Sequence, residues 1–160
     1  MRVKDVMART PAYCGPETNL AAAVEILWNR NCGILPIVNS QGKVVGVVTD
    51  RDICIALGTR NRLPGEITVA EVPSRKLTSC GPEEEIHAAL ARMAEAKVRR
   101  LPVVNAEGKL EGILSMDDVV LHARAGTPGS PAELSAEDIA NALKKLYGPQ
   151  LPEVARVATV

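Results

Sequence analysis

Residues 46–53 read GVVTDRDI, and residues 112–119 read GILSMDDV. Each is an apolar run that ends at a hydroxyl residue, meets an acid three positions later and resumes an apolar pattern at helical spacing. Sliding the chain on itself by 66 residues superposes the two stretches and aligns 3–53 with 69–119 without a gap. CGPE at 14 recurs at 80, LPIVN at 35 returns as LPVVN at 101, and GK at 42 recurs at 108. A duplication of this length makes each copy one structural unit.

Within a copy, Leu20, Val24, Leu27 and Trp28, and in the second Ile86, Leu90 and Met93, keep the spacing of a helix face. The runs ILPIV (34–38) and KVVGVVT (43–49) are rich in β-formers and are joined by NSQG, whose Asn and Gly form turns; RLPVV, NAEG and KLEGILS repeat the arrangement. A second helix starts near Asp50 and near Met116, and Ala12 to Cys14 reads as a short leading strand. The unit is β-α-β-β-α. At roughly 60 residues it is marginal alone, so the two copies are expected to pack together. The fold class is α/β (α+β): two β-α-β-β-α repeats with pseudo-two-fold symmetry, spanning 1–62 and 63–123, with GTRNRLPGE (58–66) as the surface connection. Residues 124–160 comprise a linker, RAGTPGSP, and a C-terminal helix capped by Ser135 and ended by Gly148. Ile139, Leu143, Leu146 and Tyr147 share one of its faces, which is expected to dock on the body.

Composition narrows the function. The 160 residues are 46% apolar and 24% charged, as in a globular protein, and the core must be aliphatic because Phe is absent and Tyr13, Trp28 and Tyr147 are the only aromatic residues. Lys plus Arg equal Asp plus Glu at 19 each, so no overall field gathers nucleic acid or anionic lipid. No apolar run approaches the roughly 18 to 20 residues of a membrane span, which points to a cytoplasmic protein. Cys14, Cys32, Cys54 and Cys80 are too widely spaced for a C-x-x-C pair or paired zinc ligands and read as buried small hydrophobes; no metal site is expected. No nucleophile motif accompanies His87 or His122, so no catalytic residue is assigned.

Thr49 and Asp52, like Ser115 and Asp118, fit the capping-box pattern, which satisfies free amides at a helix start and contributes about 1 kcal/mol. A ligand seat is the rival reading. The turn ends an apolar strand and opens a helix, where an anion is welcome. Gly46 and Gly112, three residues earlier, leave room for another group to approach the backbone. Both features occur in both copies.

This duplicated unit, with LPIVN…GKVVGVVTDRDI and LPVVN…GKLEGILSMDDV, resembles a tandem cystathionine β-synthase-type domain pair, the CBS pair or Bateman module, over residues 1 to 123. The resemblance implies a regulatory sensor of adenine nucleotides, AMP, ADP or ATP, ahead of S-adenosylmethionine or NAD, with no other cofactor required. It implies that Thr49 and Ser115 contact phosphate or ribose, that Asp52 and Asp118 bind ribose hydroxyls, and that the adenine lies along Gly33, Ile34 and Leu35 or Arg99, Arg100 and Leu101. Asp50 and Arg51 complete the first turn. Arg51 has Asp117 as its counterpart, so the second turn carries two carboxylates and no cation, for which Arg99 and Arg100 are available to compensate. Two unequal sites are expected. The family commonly assembles as a homodimer, and an effector protein as partner follows from a sensor role. The alternative is a ligand-free dimerisation scaffold in which both turns are plain caps.

Overall fold

β1 (Ile34–Val38) pairs antiparallel with β2 (Val44–Thr49), and β3 (Arg100–Val104) pairs with β4 (Leu110–Ser115) in the same register: Ile34 stands opposite Thr49 and Arg100 opposite Ser115. The computed structural model describes residues 1–72, 76–124 and 132–148. The sequence dictates both hairpin turns. The Asn39 side chain accepts from the amides of Gln41 and Lys43 at 3.0 Å each, Asn105 does the same for Glu107 and Lys109, and Gly42 and Gly108 take the left-handed φ values of 77° and 79° that favour glycine. The leading strand shrinks to one residue per copy. Cys14 bridges β1 in parallel, donating to Pro36 and accepting from Val38, and Cys80 bridges β3 in the same way.

The helices are α1 (Leu20–Asn29), α2 (Asp50–Arg60), α3 (Ile86–Ala96), α4 (Met116–His122) and α5 (Ala136–Tyr147). Each hairpin therefore lies between two helices, as the duplicated pattern requires. Among the described residues, no helix is long and apolar enough to cross a membrane.

The two cores do not respect the repeat boundary. Leu20, Leu27, Leu35, Val48 and Ile53 of the first repeat pack with Ile67, Val69 and Val72 from the start of the second. Ile86, Leu90, Met93, Leu101, Leu114 and Val119 pack with Val3, Val6 and Met7 from the start of the first. Backbone bonds fix the exchange: Val3 donates to Glu84 and Ala8 to Ile113, while Leu20 donates to Ile67 and Val69 to Thr18, all at 2.8–2.9 Å. The division at 62/63 marks the repeat in sequence, whereas each core takes its closing segment from across it. The halves are thereby held side by side, with crevices between them.

Four expectations need correction. Gly112 makes room for the chain itself: a Cβ there would lie 2.6 Å from the Ala8 carbonyl oxygen and 2.8 Å from the Met7 sulfur. On α1, Leu20, Ala23 and Leu27 are buried but Val24 and Trp28 are 43% and 84% exposed, because nothing in the described chain covers that side. α5 does dock on α3, but through Ile139, Ala142 and Leu146, with Leu143 partly buried and Tyr147 turned to solvent. Finally, only two cysteines behave as core: burial pushes the thiols of Cys14 and Cys80 up to about 11 and about 12, whereas Cys32 is half-buried and Cys54 exposed.

Gly112→Ala is expected to cost about 1–3 kcal/mol, because the opposing Ala8 carbonyl is backbone and cannot rotate away. Urea denaturation checks this, and an unchanged midpoint would contradict the packing role.

Candidate functional site

Thr49 is both the last residue of β2 and the N-cap of α2. Its extended backbone turns its hydroxyl onto the first helical turn, where Oγ1 accepts from the Asp52 amide at 3.2 Å. Asp52 Oδ2 accepts in return from the Thr49 amide at 3.0 Å and from the Thr49 hydroxyl at 2.7 Å. Ser115 and Asp118 repeat this box at 3.1, 2.9 and 2.5 Å. A third box joins Ser135 and Asp138 at the start of α5, where bonds from Ser135, with help from His87, hold the Asp138 carboxyl below its ordinary range. Three matching boxes mean that the box alone is no mark of a ligand. In each box the hydroxyl gives its proton to the aspartate, so toward any further group it can only accept.

Surroundings distinguish the first two boxes from the third. Thr49, Asp50, Arg51 and Asp52 line a hollow of about 260 Å³ together with Gly33, Ile34 and Val47 of the first repeat and Lys76, Thr78, Val98, Arg99, Arg100 and Pro102 of the second. Ser115, Asp117 and Asp118 line another, of about 360 Å³, with Ile113, Thr10, Pro11, Ala12, Arg30, Asn31 and Cys32. The 66-residue shift maps Thr10 onto Lys76, Ala12 onto Thr78, Asn31 onto Lys97 and Ile113 onto Val47, so the two hollows are copies of one crevice. Ile34 and Arg100 occupy matching positions, and each lines both hollows, as residues beside the pseudo-two-fold axis must.

Among the described residues, Oδ1 of Asp52 and of Asp118 accepts no hydrogen bond. Each aspartate spends one oxygen on its cap and keeps the other. An ionised carboxylate only accepts, so the uncommitted oxygen suits a hydroxyl or amine and repels a phosphate. Phosphate would have to meet the cations instead. In the first hollow these are Arg51, Lys76, Arg99 and Arg100; Lys97 also lines it, but its ammonium donates to the Lys145 carbonyl at the end of α5.

The expected site residues separate accordingly. Gly33, Ile34, Thr49, Asp50, Arg51, Asp52, Arg99 and Arg100 come together around the first hollow, with Ser115 and Asp118 at the second. Leu35 and Leu101 do not join them, because both side chains are wholly buried in the two cores. Arg99 lines the first hollow and not the second, so Arg100 alone offsets Asp117, at 3.7 Å. Lys76, Thr78, Thr10 and Arg30 escaped sequence reasoning. Only the repeat offset linking 10 to 76 and 12 to 78 hinted at the first three.

The sequence model of the family described as CBS domain matches residues 3–59 and 69–124. The CBS domain-containing protein YhcV of Bacillus subtilis is 33% identical over 120 residues, covering 75% of this chain and 84% of that protein. The CBS domain pair of protein MJ0100, solved in complex with 5′-methylthioadenosine and S-adenosyl-L-methionine, superposes with a TM-score of 0.68 at 26% identity, over 76% of this chain and 94% of that one. CBSX2, solved in complex with AMP, superposes with a TM-score of 0.64 at 27% identity, over 75% and 93%.

Proposed function

The chain belongs to the CBS domain family, and on that premise we propose that it is a regulatory module whose hollow at Thr49–Asp52 binds an adenine nucleotide, AMP, ADP or ATP. The observation that carries this reading is Asp52 itself, which lines a crevice between the repeats with one carboxylate oxygen uncommitted. A ribose offers that oxygen vicinal hydroxyls, and hydrogen bonds to a charged acceptor contribute roughly 1.5–3 kcal/mol each. Gly33 lines the crevice beside Ile34 and Val47, and the Asp50 carboxylate and Arg100 guanidinium lie 3.4 and 3.5 Å from where its Cβ would stand, polar groups that suit the edge of a planar base. Phosphates then lie among Arg51, Lys76 and Arg99, near the N-terminus of an eleven-residue helix whose dipole favours an anion. The adenosine ligands of the MJ0100 pair and of CBSX2 support the same assignment.

Occupation would act on the packing of the halves, since both repeats line the crevice. A ligand that prefers one arrangement shifts the population toward it, and an effector protein would read the change.

Assembly as a homodimer rests on the bare side of α1. In the second repeat the equivalent helix positions, Leu90 and Ala94, are 3% and 4% exposed beneath α5, while Val24 and Trp28 have no such cover within the described chain. A second copy meeting this face isologously buries both. Trp28→Glu is expected to convert dimer to monomer in sedimentation, and a dimer that persists would move the interface elsewhere.

Thermal shift with AMP, ADP and ATP tests the binding site. A ligand at 100 times its dissociation constant stabilises by about 2.7 kcal/mol. Asp52→Ala with Asp118→Ala should abolish the shift while costing about 1 kcal/mol per cap. No shift in the parent protein would favour a ligand-free scaffold, and an undiminished shift in the double variant would move the site.

A further inference from the structure

The two hollows are copies of one crevice, yet they differ in charge where duplication put one residue twice. Two positions after the hydroxyl residue stands Arg51 in the first and Asp117 in the second. Lys76 of the first has Thr10 as its counterpart, removing another cation from the second. What remains there is Arg30 and Arg100 against Asp117 and Asp118. Arg100 is moreover shared, since it lines both hollows, and it is paired with Asp117 at 3.7 Å.

Resting on the reading of the Thr49–Asp52 hollow as an adenosine site, and extending it to its copy at Ser115–Asp118, we propose that the two hollows take different classes of adenosine ligand. The first binds a phosphorylated adenosine, the second an adenosine derivative without phosphate, neutral or cationic, and the balance of charge lining each hollow, with Arg51 in one where Asp117 stands in the other, sets the difference. A phosphate entering the second hollow meets the Asp117 carboxylate where the first offers a guanidinium. To recruit Arg100 it must first displace Asp117, which leaves that carboxylate unpaired beside a new anion, and like charges at such range oppose each other. The pair itself is open to water, with the Asp117 side chain 83% exposed, so its own attraction is small. Selection comes chiefly from the balance of charge: Arg51, Lys76, Lys97, Arg99 and Arg100 outnumber Asp50 and Asp52 in the first hollow, whereas Arg30 and Arg100 only match Asp117 and Asp118 in the second. An adenosine lacking phosphate avoids the conflict and keeps the ribose contact to Asp118, and a cationic substituent on it gains Asp117 as a partner.

Duplication supplies the test, because the first copy already carries the residue that the second lacks. Calorimetry on full-chain variants with one hollow disabled would compare adenosine and AMP as probes: Asp118→Ala reports the first hollow and Asp52→Ala the second. In the first hollow AMP should bind at least about tenfold more tightly than adenosine, as expected for charge-assisted bonds; in the second it should bind no more tightly than adenosine. Asp117→Arg in the Asp52→Ala background, a change at an exposed position, should raise the AMP preference of the second hollow about tenfold. Equal AMP preference in the two single-hollow variants, or an Asp117→Arg variant that leaves the ratio where it was, overturns the proposal while the adenosine reading stands. A parent protein that binds neither probe overturns both.

Discussion

Val3, Val6 and Met7 close the core of the second repeat, and Ile67, Val69 and Val72 close that of the first. This exchange is the constraint on which the rest depends. A two-stranded hairpin with two helices removes too little apolar surface from water to hold alone. Here each unit borrows a segment from its twin, and the backbone bonds from Ala8 to Ile113 and from Leu20 to Ile67 make the loan specific. Because the halves cannot separate without opening both cores, the crevices between them persist while leaving room for small shifts in packing. Gly112 belongs to this device, admitting the Ala8 backbone against β4.

At those walls, one residue type serves two ends. The aspartates of the turns satisfy amides at a helix start through one oxygen and keep the other free, so stability and binding do not compete for the same atom. The Ser135–Asp138 box supplies the comparison within the same chain: identical local chemistry, with a docked helix as its outcome and neither residue lining the two hollows. What sets the boxes at Thr49 and Ser115 apart is therefore what the exchange brings next to the caps.

Local features were legible in the sequence. The Asn and Gly of the hairpin turns, the capping boxes at Thr49 and Ser115, the N-cap at Ser135 and the helix starts near Asp50 and Met116 follow from interactions within a few residues, which short motifs encode. What escaped is what forms across the repeats. Lys76 and Thr78 carry no motif and reach the first hollow only because 67–72 cross over to the first core. Leu35 and Leu101 send their side chains inward by strand alternation while their neighbours Ile34 and Arg100 line the crevices, so only their backbone is left to meet a base. Trp28 sits on the apolar side of a well-formed helix and is still bare, since periodicity gives a face and not what covers it. Arg99 and Arg100 were both offered as compensating cations for the second turn, whereas Arg99 lines the first hollow and Arg100 stands beside the pseudo-two-fold axis and lines both.

The central claim is that a sugar hydroxyl completes the coordination of a carboxylate whose second oxygen is already spent on a cap. A crystal structure of the full chain grown with AMP examines it directly. The nucleotide should lie in the crevice between the repeats, with its ribose on Asp52 Oδ1, the capping bonds to Oδ2 intact and its phosphate toward Arg51, Lys76 and Arg99. AMP bound elsewhere, or bound in the crevice with its ribose away from Asp52, would contradict the account.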